Sequence, residues 1–194
     1  MVSPSPFFHA LSPSNWGAKM QEILKTERLI LRPFRQDDAG PVRELASNWN
    51  VARMLARVPH PYSVEDAESW IASQRQTKLE GREYAYAVEY QGEFIGSAGM
   101  VCDGNRVELG YWIGEPFWNR GFATEAVRKL AEEAFIALKS PIVTAEHFAD
   151  NHASGNVLRK AGFRYTGEGK RWSEARRENV RALIMAKHKL AGAA

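Results

Sequence analysis

The sequence has little cysteine and no long hydrophobic run. Its 194 residues include one cysteine, Cys102, which excludes an intramolecular disulfide framework, and the Cys and His spacing of a zinc site is absent. No apolar stretch approaches the roughly 18 residues that a membrane-spanning helix requires. The N-terminus lacks the basic and apolar regions of a secretory signal. We therefore expect a cytoplasmic protein with no membrane segment and no metal.

An excess of charge of one sign is also nearly absent. Lys and Arg number 26 against 23 Asp and Glu, which gives a net charge of +3. So small an excess suits an anionic small ligand as well as nucleic acid. The hydrophobic fraction of 44% and the charged fraction of 25% are ordinary for globular proteins, which excludes wholesale disorder.

Proline and serine are concentrated at the N-terminus. Residues 1–23 show no sustained periodicity and are predicted to form a flexible arm. A single domain is predicted over residues 24–190, which leaves a short tail at 191–194.

The rest of the chain predicts an α+β domain. Three alternating segments separated by glycine-containing turns indicate an antiparallel meander: 84–90, 94–101 and 107–113. A long helix follows over 123–138, because its apolar residues recur three and four positions apart. The remaining elements are a strand at 142–147, a helix from Asn151 to Gly162, and strands at 163–166 and 180–187. We expect a mostly antiparallel twisted sheet flanked by helices.

The densest chemical signal is the segment between the meander and the long helix, here called the 115–124 loop. Gly121 and Ala123 permit a tight turn that exposes backbone N–H groups at the positive end of the helix dipole. Such a turn binds phosphate, and Arg120 adds a charged contact. Gly121 equally suits a simple turn, and both interpretations stay open at this point. The glycines and lysine of a Walker loop or a dinucleotide fingerprint are missing.

A second cluster begins the short helix. Asn151 is a good helix N-cap, and Ser154 is an ordinary residue of a first helical turn. Neither residue indicates chemistry without its neighbours.

Taken in order, these segments resemble the GNAT acetyltransferase superfamily. The resemblance rests on residues 118–126 (Trp-Asn-Arg-Gly-Phe-Ala-Thr-Glu-Ala), on Asn151 and Ser154, and on residues 160–163 (Lys-Ala-Gly-Phe). The chain is similar to the branch that includes the ribosomal-protein N-terminal acetyltransferases, which residues 26–33 (Thr-Glu-Arg-Leu-Ile-Leu-Arg-Pro) also fit. The similarity covers roughly residues 25–190. It implies a V-shaped gap between the strand that ends at Ile113 and the strand that begins near Ile142.

The resemblance also implies the ligands. Acetyl-CoA would lie in the gap, its pantetheine pairing with a strand edge and its pyrophosphate held by backbone N–H groups. The implied acetyl-CoA-binding residues are Trp112, Ile113, Asn119, Arg120, Gly121, Phe122, Ala123, Thr124 and Asn151. The implied reaction is direct attack of a primary amine, from a protein N-terminus or a small molecule. Neither a membrane nor a specific nucleic acid is an expected partner, and the expected state is a monomer or homodimer.

The chain departs from the family pattern at several positions. Trp118 stands where Gln or Arg is common, and Asn119 and Arg120 replace a frequent Gly and Gln. Leu158 occupies the position of the tyrosine that protonates the leaving thiolate in many relatives. We therefore expect Ser154 or water to replace that tyrosine.

An attacking amine must be neutral, which calls for a general base. Glu108, in the strand that flanks the gap, is the first candidate, although an outward-facing charge is an equal alternative. His147 is the second candidate, with an ordinary histidine at a sheet end as its plainer interpretation. Tyr111 has the opposite strand parity to Glu108, so the two face opposite sides. Cys102 lacks an adjacent histidine and is predicted to be a buried thiol.

Two other functions compete with an N-acetyltransferase. A non-catalytic acyl-CoA-binding or regulatory module would keep the 115–124 loop without a working base. A nucleic-acid-binding domain is poorly supported, because the basic residues of segment 170–177 accompany no recognition helix. The sequence favours the acetyltransferase.

Overall fold

A computed structural model describes residues 20–103 and 106–189. Its strands and α-helices, in chain order, are β1 (Leu24–Lys25), β2 (Leu29–Arg32), α1 (Ala39–Ala46), α2 (Trp49–Ala52), α3 (Val64–Leu79), β3 (Glu83–Tyr90), β4 (Glu93–Asp103), β5 (Arg106–Ile113), α4 (Phe122–Ile136), β6 (Ile142–Phe148), α5 (His152–Lys160), β7 (Arg164–Ser173) and β8 (Glu178–His188). Most of the predicted arm and all of the predicted tail lie outside the described residues. At the arm's described end, Met20 is buried in the core and the carbonyl of Gln21 accepts a hydrogen bond from Tyr86.

The strands form one sheet in the order β1-β2-β3-β4-β5-β6-β8-β7. Strands β5 and β6 pair in parallel, whereas the other described neighbours are antiparallel. The meander β3-β4-β5 matches the alternating segments, and α4 matches the long amphipathic one. The predicted α+β class is confirmed.

The parallel pair β5-β6 separates part of the way along. Its register runs only from Val107 opposite Val143 to Leu109 opposite Ala145. Beyond that point β5 stays paired with β4 as far as Ile113, and β6 stays paired with β8 as far as Phe148. Because each strand follows its outer neighbour, the two diverge, and the predicted V-shaped gap opens between them.

Glycine at position 96 allows β4 to hold the diverging end of β5. Gly96 lies opposite Ile113, and a Cβ atom at Gly96 would lie 2.2 Å from the carbonyl oxygen of Trp112. Any larger residue would push β5 away from β4, so this glycine sets the edge of the gap.

The two faces of the sheet carry different helices. Helices α4 and α5 cover one face, where Leu109, Ile113 and Leu158 belong to the main core. Helices α1 and α3 cover the other face, where Phe94 belongs to a second cluster and Trp112 packs against it. We call these the α4/α5 face and the α1/α3 face. None of the helices in the described ranges is long and apolar enough to cross a membrane.

A buried ion cluster joins β2 to the start of α1. Both terminal nitrogens of Arg32 donate to the Asp38 carboxylate at 2.8 Å, and its Nε donates to Glu89 at 2.6 Å. The same carboxylate accepts the backbone N–H of Arg35 at 2.7 Å. The buried charges are therefore paired and hydrogen-bonded, as burial requires.

Candidate functional site

The gap between β5 and β6 is the centre of a cleft that reaches both faces of the sheet. Side chains of one strand alternate between the faces, so Glu108 and Trp112 point to the α1/α3 face. Tyr111 points to the α4/α5 face, where Ser154 lies. All four residues line the same cleft. A molecule bound in the gap can therefore be reached from either side.

The diverging end of β5 offers backbone groups to a ligand. The backbone N–H of Gly114, just after β5, donates to the carbonyl of Ile95 in β4. In an antiparallel ladder the backbone direction alternates, so Ile113 and Tyr111 turn their N–H and C=O groups toward the gap. The indole of Trp118 donates to the Ile113 carbonyl at 2.6 Å. An extended ligand could pair with this edge as an added strand.

Trp112 contributes differently from Ile113. The backbone N–H and C=O groups of Trp112 face β4, because the backbone direction alternates along the strand. Its ring packs against Phe94 with the ring centroids 5.9 Å apart. The side chain of Trp112 therefore forms part of the cleft wall on the α1/α3 face.

The 115–124 loop leads into α4 through two residues with left-handed backbone. Gly121 has φ of 82° and Asn119 has φ of 61°, a region that asparagine tolerates better than most residues. The first hydrogen bond into α4 runs from the Glu125 N–H to the Gly121 carbonyl at 3.1 Å. The N–H groups of residues 122–124 precede it and are directed toward the end of the helix. The loop is thus a tight turn, and its helix-end N–H groups are of the kind that can bind an anion.

Two guanidinium groups border this loop. Arg120 lies 4.9 Å from the ring centroid of Tyr90 and 4.8 Å from that of Phe122. Arg28 lies 4.7 Å from the Phe122 centroid, and its Nη1 donates to the Arg120 carbonyl at 2.9 Å. Sequence reasoning missed Arg28 as a loop residue. The available signal was its place in residues 26–33, which fit the ribosomal-protein acetyltransferase branch.

Ser154 is held at the gap from two sides. Its backbone N–H donates to Oδ1 of Asn151 at 3.0 Å, which confirms the predicted N-cap. Its Oγ lies 2.7 Å from the hydroxyl of Tyr111 across the gap. Leu158, at the family's tyrosine position, is fully buried in the main core. The nearby phenol therefore comes from β5 and not from α5, which sequence reasoning did not anticipate.

Glu108 lies in the cleft on the α1/α3 face with 44% of its side-chain surface exposed. Neighbouring Glu146 is held by Arg171, whose Nε and Nη2 donate to it at 2.5 and 2.6 Å. The same Arg171 lies 4.0 Å from Glu108. Desolvation, and then repulsion from Glu146, raises the pKa of Glu108 despite opposing attraction from Arg171 and Arg57. A carboxylate with a raised pKa suits a general base.

The two remaining sequence candidates are both buried. His147 is buried, with Nδ1 2.8 Å from the Phe148 carbonyl and Nε2 3.3 Å from the Tyr165 hydroxyl. Both of its ring nitrogens are engaged, as in an ordinary core histidine. Cys102 is buried, and desolvation raises its pKa to about 11. A thiol that resists ionisation is a poor nucleophile.

Comparison with known proteins gives a consistent result. Residues 28–164 match the family model described as the acetyltransferase (GNAT) domain. The uncharacterized N-acetyltransferase YoaA of Bacillus subtilis is 34% identical over 153 residues, which cover 76% of this chain and 86% of YoaA.

Solved structures share the fold. RimJ of Mycobacterium smegmatis, in complex with CoA-disulfide, superposes with a TM-score of 0.75 at 24% identity over 86% of this chain and 85% of RimJ. RimL, a ribosomal alpha-N-protein acetyltransferase in complex with coenzyme A, superposes with a TM-score of 0.77 at 18% identity. That match covers 86% of this chain and 98% of RimL.

Proposed function

Because this chain belongs to the GNAT acetyltransferase family, it is an N-acetyltransferase, and we propose that it moves the acetyl group of acetyl-CoA directly onto a primary amine. The observation that carries the proposal is the gap through the sheet. One face offers an anion-binding helix start, and the other offers a carboxylate with a raised pKa. The donor and the acceptor can therefore meet in the gap from opposite faces.

The residues at the gap fit a coenzyme A thioester. Pantetheine would pair with the backbone of Tyr111 and Ile113 on the open edge of β5, and the pyrophosphate would accept N–H groups from residues 122–124. The position of Ser154 across the gap suits contact with the thioester end. We assign Arg120 a supporting role, because its guanidinium is exposed and stacks on neighbouring rings.

The proposed reaction needs a base on the acceptor side. A primary amine is largely protonated at neutral pH and attacks only after losing a proton. The ammonium proton is lost to water, and Glu108 would take the second proton as the nitrogen of the neutral amine bonds to the thioester carbon. The C–S bond then breaks, and sulfur leaves with the electron pair. The hydroxyl of Ser154 would donate a hydrogen bond to that sulfur, and water would protonate it.

A substrate panel tests the proposal. The purified protein is incubated with acetyl-CoA and a series of peptides with free N-termini, polyamines and amino acids, and the products are examined for the mass of an added acetyl group. We expect at least one amine to be acetylated with stoichiometric release of CoA. Tight CoA binding without acetylation of any amine would instead indicate the non-catalytic binding module.

A further inference from the structure

The phenol of Tyr111 in β5 and the hydroxyl of Ser154 in α5 form a pair that spans the gap. Their oxygens are 2.7 Å apart, a distance at which either hydroxyl can be the donor, and the Tyr111 hydroxyl also donates to the Ser154 carbonyl at the longer distance of 3.2 Å. The two residues are 43 positions apart in the chain, so only the fold brings them together. Both line the cleft that holds the candidate site.

The surroundings of Ser154 restrict where its hydroxyl hydrogen can point. Asn151 fixes the serine backbone by capping its N–H at 3.0 Å. A phenol and a serine each carry one O–H donor. If Tyr111 donates to Oγ, the hydrogen of Ser154 is left to point elsewhere in the cleft. A chain of two hydrogen bonds also polarises the second donor more than one bond would.

We propose that Tyr111 is a positioning residue for acetyl transfer, donating to Ser154 Oγ and thereby directing the serine O–H toward the thioester sulfur. This inference rests on the proposed function. In the reaction the amine proton goes to Glu108, the C–S bond breaks, and the electron pair goes to sulfur. The resulting thiolate accepts the Ser154 hydrogen bond until water protonates it. Tyr111 keeps its own proton throughout.

The environment of Tyr111 fits a hydrogen-bond donor that stays neutral. Desolvation raises the pKa of Tyr111 well above its ordinary value, and the hydrogen bond with Ser154 only partly opposes that rise. Transfer of the phenol proton to sulfur would create a phenolate in this desolvated position, which is unfavourable. A neutral phenol can still orient Ser154 in every turnover.

Four variants test this role: Y111F, S154A, the double variant and the control Y165F. Tyr165 is a second phenol on the α4/α5 face, bonded to His147 instead of Ser154. We expect Y111F to lower kcat roughly tenfold, the equivalent of one hydrogen bond, with KM for acetyl-CoA unchanged within about twofold. Y165F should keep the wild-type kcat. The double variant should be no slower than S154A alone, because Tyr111 acts only through Ser154.

Each rate is measured with an acetylated amine and also as hydrolysis of acetyl-CoA without any amine, since both reactions break the same C–S bond. An unchanged kcat in Y111F, or equal and additive losses in Y111F and S154A, overturns the role of Tyr111. A loss in Y111F that falls on KM or on CoA affinity also overturns it, because that pattern is structural. If no amine is acetylated, the proposed function fails, while the hydrolysis rates still decide the Tyr111 role.

Discussion

The carboxylate of Glu125 holds Arg28 in two ways at once. One oxygen accepts the backbone N–H of Arg28 at 2.8 Å, and the other accepts its Nε at 2.8 Å. Desolvation opposes the charge on Glu125, but hydrogen bonds from Thr26 and Arg28 outweigh it and hold the pKa of Glu125 below its usual value. The turn before β2 is thereby tied to the first turn of α4. Because Arg28 also donates to the Arg120 carbonyl, it supports the 115–124 loop.

Removal of this support should weaken donor binding. We expect Arg28→Ala to reduce acetyl-CoA affinity several-fold at both low and high salt, because the loss acts through loop geometry. Arg120→Ala should weaken binding several-fold at low salt and hardly at all at high salt, because an exposed charge is screened. Calorimetric titration at two salt concentrations separates the two variants. A salt-dependent loss in Arg28→Ala would mean that Arg28 contacts phosphate through its charge.

Gly121 should be essential for the anion-binding turn. Its φ of 82° disfavours other residues, and a glutamate would place negative charge at the start of α4. We expect Gly121→Glu to lower acetyl-CoA affinity more than about tenfold.

Gly92 provides the matched control for this substitution. It has a φ of 83° in the β3-β4 turn, and its Cβ position is open. Gly92→Glu therefore carries the same backbone strain and the same charge away from the loop. Equal losses of affinity in the two glutamate variants, with both folded by circular dichroism, would refute an anion-binding role for residues 121–124.

The pH dependence of kcat should report the ionisation of Glu108. A base must be ionised, so the rate should rise with pH through a pKa above the ordinary glutamate value of 4.5. Glu108→Gln should remove this rise and lower kcat by roughly 10²–10⁴-fold. The check is a kcat profile against pH for one verified amine. A wild-type profile in Glu108→Gln would point to His147 or water as the base.

Glu146 offers a second test of the same assignment. Glu146→Gln removes a repulsive charge beside Glu108 and frees Arg171 to pair with it. Both effects lower the pKa of Glu108, so the rise in kcat should move to lower pH. A shift to higher pH, or no shift, would show that the profile reports another group.

The Arg32–Asp38 pair should contribute to stability rather than to activity. Desolvation opposes ionisation of Asp38, but its hydrogen bonds with Arg32 and with the Arg35 N–H hold its pKa below 3.8. Asp38→Asn removes one of the two carboxylates that pair with Arg32 and leaves Glu89 as the other, so the free energy of unfolding at neutral pH should fall by about 1.5–3 kcal/mol.

The stability difference between wild type and Asp38→Asn should depend on pH. A carboxyl group whose pKa is lower in the folded state stabilises the fold fully at pH values above its unfolded-state pKa. This stabilisation is lost as the pH falls through the folded-state pKa. The difference should therefore be constant near neutrality and shrink as pH falls below 3.8. Urea unfolding across pH measures it, with the exposed Asp37→Asn as control. A difference that grows toward low pH would contradict the assignment.

Local patterns in the sequence were sufficient for several elements of the fold, although the strand predicted at 163–166 extends to Ser173. Apolar residues spaced three and four positions apart identified α4, and residues that alternate in type identified β3. Asn151, a good N-cap, identified the start of α5. These features depend on neighbours along the chain, which is why periodicity reveals them. The order of motifs also located the 115–124 loop and the family. Strand parity correctly separated Tyr111 from Glu108 onto opposite faces.

The contacts within the site were decided by tertiary structure. Tyr111 meets Ser154 across 43 positions of sequence, and Arg28 meets Glu125 across 97. The pairing of Glu146 with Arg171, which shapes the environment of Glu108, likewise joins residues of different strands. Local pattern carries no information about such pairs, because they depend on where β5 and β6 diverge and on which face each helix covers. The sequence predicted Glu108, Ser154 and the 115–124 loop as site residues, but their hydrogen-bond partners and the pKa of Glu108 followed from packing.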